Sequence, residues 1–362
     1  MSSIVTFLGK GGTGRTTLAI ATAKKLAAEG KKVLLMGQDS SPAWGMALGV
    51  TPTPEPLETE ANFAVMQLNS TVLLENSWEQ VKRLEAQYLR SPILKQVYGQ
   101  ELGVLPGMDR ALALNTIREY YQNGQYDAIV YDGTAGIDTL RMLGMPEILS
   151  WYFRRFRDVF SESDIVKTLS PFVQPVTGAI LNTSWTANEI KGNTDNPATQ
   201  MLEDGTAALS KGNVLAYLVT TADPAAIATA KYLWGSAQQV NLKVAGVLLR
   251  GEADISTEFS PLEVTAMPEF DGGNWQDLIA RLPNMVDGVN PPPATEFVMA
   301  ERKVKVFLPG FDKKAVKLTQ YGPEITIEAG DQRRNITLPP SWRGSSVTGA
   351  KFQNGYLEVS VG

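Results

Sequence analysis

Short apolar runs alternate with stretches of helical period along the first 250 residues. "SIVTFLG" (3–9) reads as a buried strand, "TTLAIATAKKLAAEG" (16–30) as an Ala-rich helix closed by Gly30, and "KKVLLMGQD" (31–39) as a second strand, which together make a βαβ unit. Further strands are predicted at "YDAIVYD" (126–132), "NVLAYLVTT" (213–221) and "KVAGVLLR" (243–250), separated by helical stretches such as "AAIATAKYLWGSAQQV". Strands that are apolar on both faces need helices above and below, so the expected fold is α/β: a doubly wound, mostly parallel sheet.

Residues 145–212 break that rhythm and predict a helical subdomain. "PEILSWYFRRFRDVFSESDIVKTL" sets Leu149, Tyr152, Phe153, Phe156 and Phe160 on one helical face, and the polar stretch after it, "NTSWTANEIKGNTDNPATQ", reads as loop. The aromatic face either packs on the core or offers an apolar surface to another protein.

The stretch 291–302 contains three consecutive prolines and reads as a linker. From Lys303 the period becomes two. Val304, Val306 and Leu308 alternate with polar residues, as do Ile325 with Ile327 and Leu357 with Val359 and Val361, and turns are expected at Pro309-Gly310 and Asn354-Gly355. Residues 303–362 therefore predict a small antiparallel β-sandwich, which leaves 1–290 for the α/β domain.

Composition narrows the chemistry. A net charge of −5 with interspersed signs makes nucleic acid an unlikely partner, and there is no apolar run long enough for an integral membrane span. The chain enters a strand almost at once, so no targeting peptide is expected, and a cytoplasmic protein is the default expectation. There is no His and no Cys, so imidazole bases, thiolates, disulfides and ordinary zinc sites are out of reach. A metal would be held by oxygen, and Mg²⁺ on phosphate suits that best.

"GKGGTGRTT" (9–17) lies where a strand runs into a helix N-terminus. There, free backbone N–H groups and the helix dipole attract anions while glycines let the backbone approach phosphate. Gly9 and Gly14 have the spacing of G-x-x-x-x-G-K-[ST], but Arg15 replaces the lysine, and a different lysine, Lys10, follows the first glycine. Gly11, Gly12, Thr13 and Gly14 complete the cradle. Thr16 is the candidate Mg²⁺ ligand and Thr17 the candidate inner-phosphate contact. Gly9, Gly11 and Gly14 also satisfy G-x-G-x-x-G, with Asp39 ending the second strand as a ribose-binding acid would. The cation and two hydroxyls at 15–17 favour a triphosphate over a dinucleotide. A bare glycine-rich turn is a further alternative.

These residues resemble the deviant Walker A motif K-G-G-x-G-K-T-T of the ArsA-like ATPases, which include arsenite-pump ATPases and targeting factors for tail-anchored membrane proteins. The resemblance implies ATP or ADP as the nucleotide. It implies that Lys10 reaches across a homodimer to the partner's phosphates and that Arg15 stands in for the intramolecular lysine, keeping its charge with a planar head. "LLMGQDSSPAWGMALG" resembles switch I and carries the water-orienting acid onto Asp39, with the Pro-Ala delayed to Pro42-Ala43. "YDAIVYDGTAGIDTLRMLGMP" resembles switch II and carries the acid near Mg²⁺ onto Asp132, keeping Thr139-Leu140-Arg141. Taken alone, each acid has a plain helix cap as its alternative reading. Arg250, in "VLLRGEA", falls where the family contacts the base, and Pro224, in "ADPAA", resembles the loop that closes over it.

The catalytic set implied is Lys10, Arg15 and Asp39, with Thr16, Asp39 and Asp132 around Mg²⁺. Phosphoryl transfer to water works by positioning and cation charge, so no side-chain nucleophile is needed. Arsenite activation in the family uses cysteine thiolates, and the zinc-bridged dimer of some targeting factors uses C-x-x-C; both are missing here. The tail, with "LPGF", "LPP" and "AKFQNGYLEV", resembles the α-crystallin domain of small heat-shock proteins. The combination implies a dimeric, nucleotide-driven switch that holds hydrophobic or transmembrane segments of client proteins, with the tail as a brace or a working part. A nucleotide-binding scaffold with little turnover and an NAD-type oxidoreductase stand as alternatives.

Overall fold

The computed structural model describes residues 2–88, 104, 107–134, 136–162 and 197–362. β1 (Ser3–Leu8) lies at the middle of an eight-stranded sheet whose order is β3-β4-β2-β5-β1-β6-β7-β8. β2 (Val33–Gly37), β4 (Phe63–Gln67), β5 (Ala128–Asp132), β6 (Val214–Thr220), β7 (Lys243–Arg250) and β8 (Val264–Met267) run parallel with β1, and β3 (Leu57–Glu60) closes one edge antiparallel to β4. Every residue of β2, β5 and β6 is buried, the condition of strands covered on both faces.

Helices supply the two covers. α1 (Arg15–Ala28) buries Leu18, Ile20, Ala23 and Leu26 against Val5, Phe7 and Leu35. α2 (Pro42–Leu48) follows β2, α3 (Ser70–Tyr88) follows β4, and α4 (Met108–Asn123) precedes β5. α5 (Gly136–Leu143) leads into α6 (Met145–Glu162), which packs beside α7 (Pro197–Lys211). α8 (Pro224–Gln239) links β6 to β7, and α9 (Ser256–Phe259) and α10 (Trp275–Arg281) complete the body.

The strands read at 3–9, 31–39, 126–132, 213–221 and 243–250 are β1, β2, β5, β6 and β7. β3, β4 and β8 were not expected. They are short, and pairing with a neighbour rather than a strong local pattern makes them strands. In the region read as a helical subdomain, Pro197–Gln200 opens α7 instead of ending a loop, because proline suits the first turn of a helix. Residues 182–196 of that loop, and the side chains of Phe153, Phe156 and Phe160, lie outside the described residues. On the same face Leu149 is half-buried and Tyr152 is 48% exposed.

The C-terminal region forms two antiparallel sheets. β9 (Thr295–Val298), β10 (Lys303–Phe307), β14 (Val347–Gln353) and β15 (Tyr356–Val361) make the first, in the order β14-β15-β10-β9. β11 (Val316–Tyr321), β12 (Glu324–Ala329) and β13 (Gln332–Thr337) make the second. Val304, Val306, Leu308, Ile325, Ile327, Leu357, Val359 and Val361 fill the space between them, as the period of two requires. Asn354 and Gly355 have φ of 51° and 75°, the left-handed pair of a tight hairpin turn. The antiparallel region begins earlier than Lys303: β9, inside the stretch read as linker, pairs with β10 because its residues 295–298 offer an extended edge beyond the prolines.

Candidate functional site

The loop between β1 and α1 is shaped by its glycines. A Cβ on Gly9 would run into the Val219 carbonyl at the end of β6, so only glycine lets the chain leave the sheet there. Gly12 and Gly14 have φ of 81° and 98°, and Gly14 is the N-cap of α1. Thr13 is buried and holds the turn, its hydroxyl donating to the Lys10 carbonyl at 2.8 Å. Nothing lies within 4 Å of the Cβ positions of Gly11, Gly12 and Gly14, so the loop presents bare backbone, the surface that an anion needs at a helix N-terminus.

Two of the implied cations diverge. The Arg15 guanidinium donates to the Thr134 carbonyl just after β5, tying the loop to the switch II stretch. Lys10 is exposed and its ammonium makes no hydrogen bond or ion pair among the described residues.

Asp132 ends β5 only 5% exposed. Burial pushes its carboxyl up to about 6, while the Thr16 hydroxyl, the Arg15 charge and the Trp44 indole pull the other way and the Asp39 charge adds to the rise. Thr16 and Asp132 therefore meet, as a shared Mg²⁺ site requires. Asp39 is exposed, and its carboxylate accepts from the Ser41 N–H at 2.8 Å and the Ser41 hydroxyl at 2.9 Å. It is close enough to Asp132 to repel it, and its own turn occupies both oxygens.

Arg250, at the end of β7, donates to the Gly12 carbonyl at 3.3 Å and pairs with Glu269 at 3.5 Å. A cavity of about 50 Å³ lies there, lined by Thr17, Arg250, Met267, Pro268 and Phe270 among others. Thr17 and Arg250 thus line the same cavity. Pro224 stands exposed at the first position of α8, where Asp223 caps the helix by accepting from the Ala226 N–H at 3.0 Å.

Sequence analysis missed Trp44 and the 267–270 loop. Trp44 sits 1% exposed against Gly37 and donates to an Asp132 carboxylate oxygen at 3.1 Å. A lone tryptophan among small residues in "SSPAWG" was its available signal. "MPEF" had none beyond following a short strand.

Glycine backbone at a helix N-terminus, paired hydroxyls at 16–17 and a buried acid beside Thr16 fit a nucleotide phosphate with an oxygen-bound divalent cation. The comparisons with known proteins agree. Residues 2–247 match the family model of the anion-transporting ATPases, and residues 300–361 match the HSP20-like domain found in ArsA. A putative arsenical pump-driving ATPase of Prosthecochloris vibrioformis is 24% identical, the alignment covering 98% of this chain and 95% of that protein. Another, from Aquifex aeolicus, is 23% identical over 97% of each chain. An ATPase ASNA1 homolog of Entamoeba dispar is 27% identical over 51% of this chain and 56% of that one. An NAD-type oxidoreductase is not what this family is. The chain belongs to the anion-transporting ATPase (ArsA) family, and is an ATP-binding and hydrolysing enzyme with an HSP20-like C-terminal domain.

Proposed function

We propose that the protein is a Mg²⁺-dependent, homodimeric ATPase switch of the cytoplasm that binds or targets hydrophobic protein segments. Residues 1–290 form the ATPase domain, with its helical subdomain at about 145–212; the linker read at 291–302 reduces to the prolines at 291–293, and the α-crystallin-like sandwich read at 303–362 takes in β9 as well. The observation that carries the reading is the split between the two loop cations: Arg15 is held within the chain by Thr134, while Lys10 is exposed and its ammonium has no partner among the described residues. An exposed lysine on a phosphate loop suits a neighbour's nucleotide.

In this reading Gly9, Gly11, Gly12, Thr13 and Gly14 supply backbone N–H groups to the phosphates, and Arg15 and Thr17 add side-chain contacts. Thr16 and Asp132, with Asp39 beside them, would hold Mg²⁺, which would supply charge neutralisation at the phosphates. Lys10 offsets charge that develops during transfer to water, and Asp39 orients that water. Arg250 lies at the base, and Pro224 closes the same end. The half-exposed face of α6 at Leu149 and Tyr152 supports the client reading, since an apolar face bordered by polar residues marks a contact surface.

Specific activity measured against protein concentration, in ATP and Mg²⁺, tests the switch. It should rise with concentration and collapse in Lys10→Ala; concentration-independent activity would exclude the trans lysine. Binding of a labelled transmembrane peptide, followed with and without nucleotide, tests the client. No binding in any state would end that half of the reading.

One observation favours a second reading, a nucleotide-binding scaffold with little turnover: both carboxylate oxygens of Asp39 are engaged by Ser41. Tight ATP binding without phosphate release would favour it.

A further inference from the structure

The C-terminal sandwich meets the ATPase body along a seam that follows the elements downstream of Asp132. At the β12–β13 turn, Asp331 forms an ion pair with Arg141 in the last turn of α5, and its backbone N–H donates to the Tyr232 hydroxyl of α8 at 3.2 Å. Arg334 of β13, 8% exposed, donates to the Gln238 carbonyl at 2.9 Å and to Asn241 at 3.1 Å, where α8 ends. Glu147 on α6 supplies an opposing charge that acts on this buried guanidinium. Further along α6, Arg155 lies 3.6 Å from the Tyr321 ring centre and Arg333 stands over Trp151 at 5.9 Å. The fit is close: Gly235 has no room for a Cβ against the Pro309 carbonyl, nor Gly310, at φ 77°, against that of Lys231.

A brace could rest on α8 alone. This one also grips α5 and α6, the helices that begin where the switch acid ends. On the other side, Arg15 of the phosphate loop holds the Thr134 carbonyl, two residues before α5 starts. Within α5, Asp138 pairs with Arg110 of α4 at 2.8 Å and faces Arg141 at 3.7 Å. Charge-assisted contacts thus run from the loop through α5 to the sandwich.

We propose that the sandwich is a working part of the ATPase: Asp331, acting through Arg141, is a positioning residue for the switch helix α5, and nucleotide on the loop is linked to the seating of the β12–β13 turn. This rests on the nucleotide reading above. Linkage is reciprocal, so a contact that biases α5 toward one nucleotide state must itself be strengthened or weakened when that state is filled.

The test uses the full chain, with ATP and ADP in Mg²⁺. Nucleotide binding is measured directly by calorimetry, turnover by phosphate release, and the turn by amide hydrogen exchange across 329–334. Expected is a nucleotide-dependent change in exchange at the turn. Arg141→Gln and Asp331→Asn should each shift kcat about two- to fivefold, the range of a half-exposed ion pair, with KM little changed. The double variant should be no worse than Arg141→Gln alone. Glu358→Gln, which breaks a pair with Lys305 internal to the sandwich, should leave kcat unchanged. Nucleotide binding with unchanged exchange at the turn, or additive single effects, would overturn the coupling while leaving the ATPase intact. No binding at all would overturn the nucleotide reading, and this one with it.

Discussion

Trp44 donates its indole N–H to Asp132 across 3.1 Å, and so joins α2, which follows Asp39, to the buried acid at the end of β5. The indole is wedged against Gly37, where any side chain would collide with it, so the ring has one place to be. The two acids implied for the metal and the water therefore lie on stretches locked together by one hydrogen bond.

Trp44→Phe keeps an aromatic side chain but removes the donor together with part of the buried indole. A hydrogen bond to a buried charged group is worth about 1.5–3 kcal/mol, so a tenfold or greater rise in the Mg²⁺ concentration for half-maximal ATPase activity is expected. A Mg²⁺ titration at saturating ATP checks it, and an unchanged midpoint would show that the bond does not orient Asp132.

The buried Asp132 also makes a stability signature in protein free of metal and nucleotide. Its carboxyl is pushed from the usual 3.8 up to about 6, so between these pH values the folded chain binds the proton more tightly than the unfolded one. Stability from this group is therefore highest below pH 4, falls as pH rises through the window, and stays reduced above it, by on the order of 3 kcal/mol. Denaturant melts at pH 7 and 5 should show wild type gaining relative to Asp132→Asn on acidification. A constant difference between the two would contradict the raised value.

In the proposed reading Arg15 does two jobs, contacting phosphate as well as the Thr134 carbonyl. Arg15→Ala removes both phosphate charge and the Thr134 contact and should lower kcat/KM on the order of 10² to 10³, the cost of one lost charge-stabilising contact. Arg15→Lys keeps the charge but lacks the planar fork, and its activity should fall between wild type and Arg15→Ala. Steady-state kinetics of the two variants decide, and equal activities would mean that only the charge, or only the Thr134 contact, matters.

Arg334→Ala should loosen the sandwich. It leaves the Gln238 carbonyl without its charged donor and removes the Arg334 charge that acts on Glu147. Losing a hydrogen bond from a charged group costs about 1.5–3 kcal/mol. Limited proteolysis should then release the C-terminal region at lower protease concentrations; an unchanged cleavage pattern would show that α8 holds the domain without it.

Much of the architecture was legible along the chain because the physics that makes it is local. Runs such as "VLLMG" and "AIVYD" have no polar face to offer water, and so had to be central strands of a covered sheet. The alternation of Val304, Val306 and Leu308 likewise required a two-sheet sandwich. The phosphate loop was legible for the same reason, since glycines at 9, 12 and 14 answer local demands of backbone geometry. What tertiary structure alone decided is where distant parts meet. Asp132 acquires its raised proton affinity from burial, against the opposing hydrogen bonds of Thr16 and Trp44, which no spacing relates to it. Arg15 finds Thr134 across 119 residues and Arg141 finds Asp331 across 190. β9 exists because β10 offers it an edge. The seam between sandwich and switch helices depends on which face of α8 the folded body leaves open, a property of packing that a one-dimensional pattern does not carry.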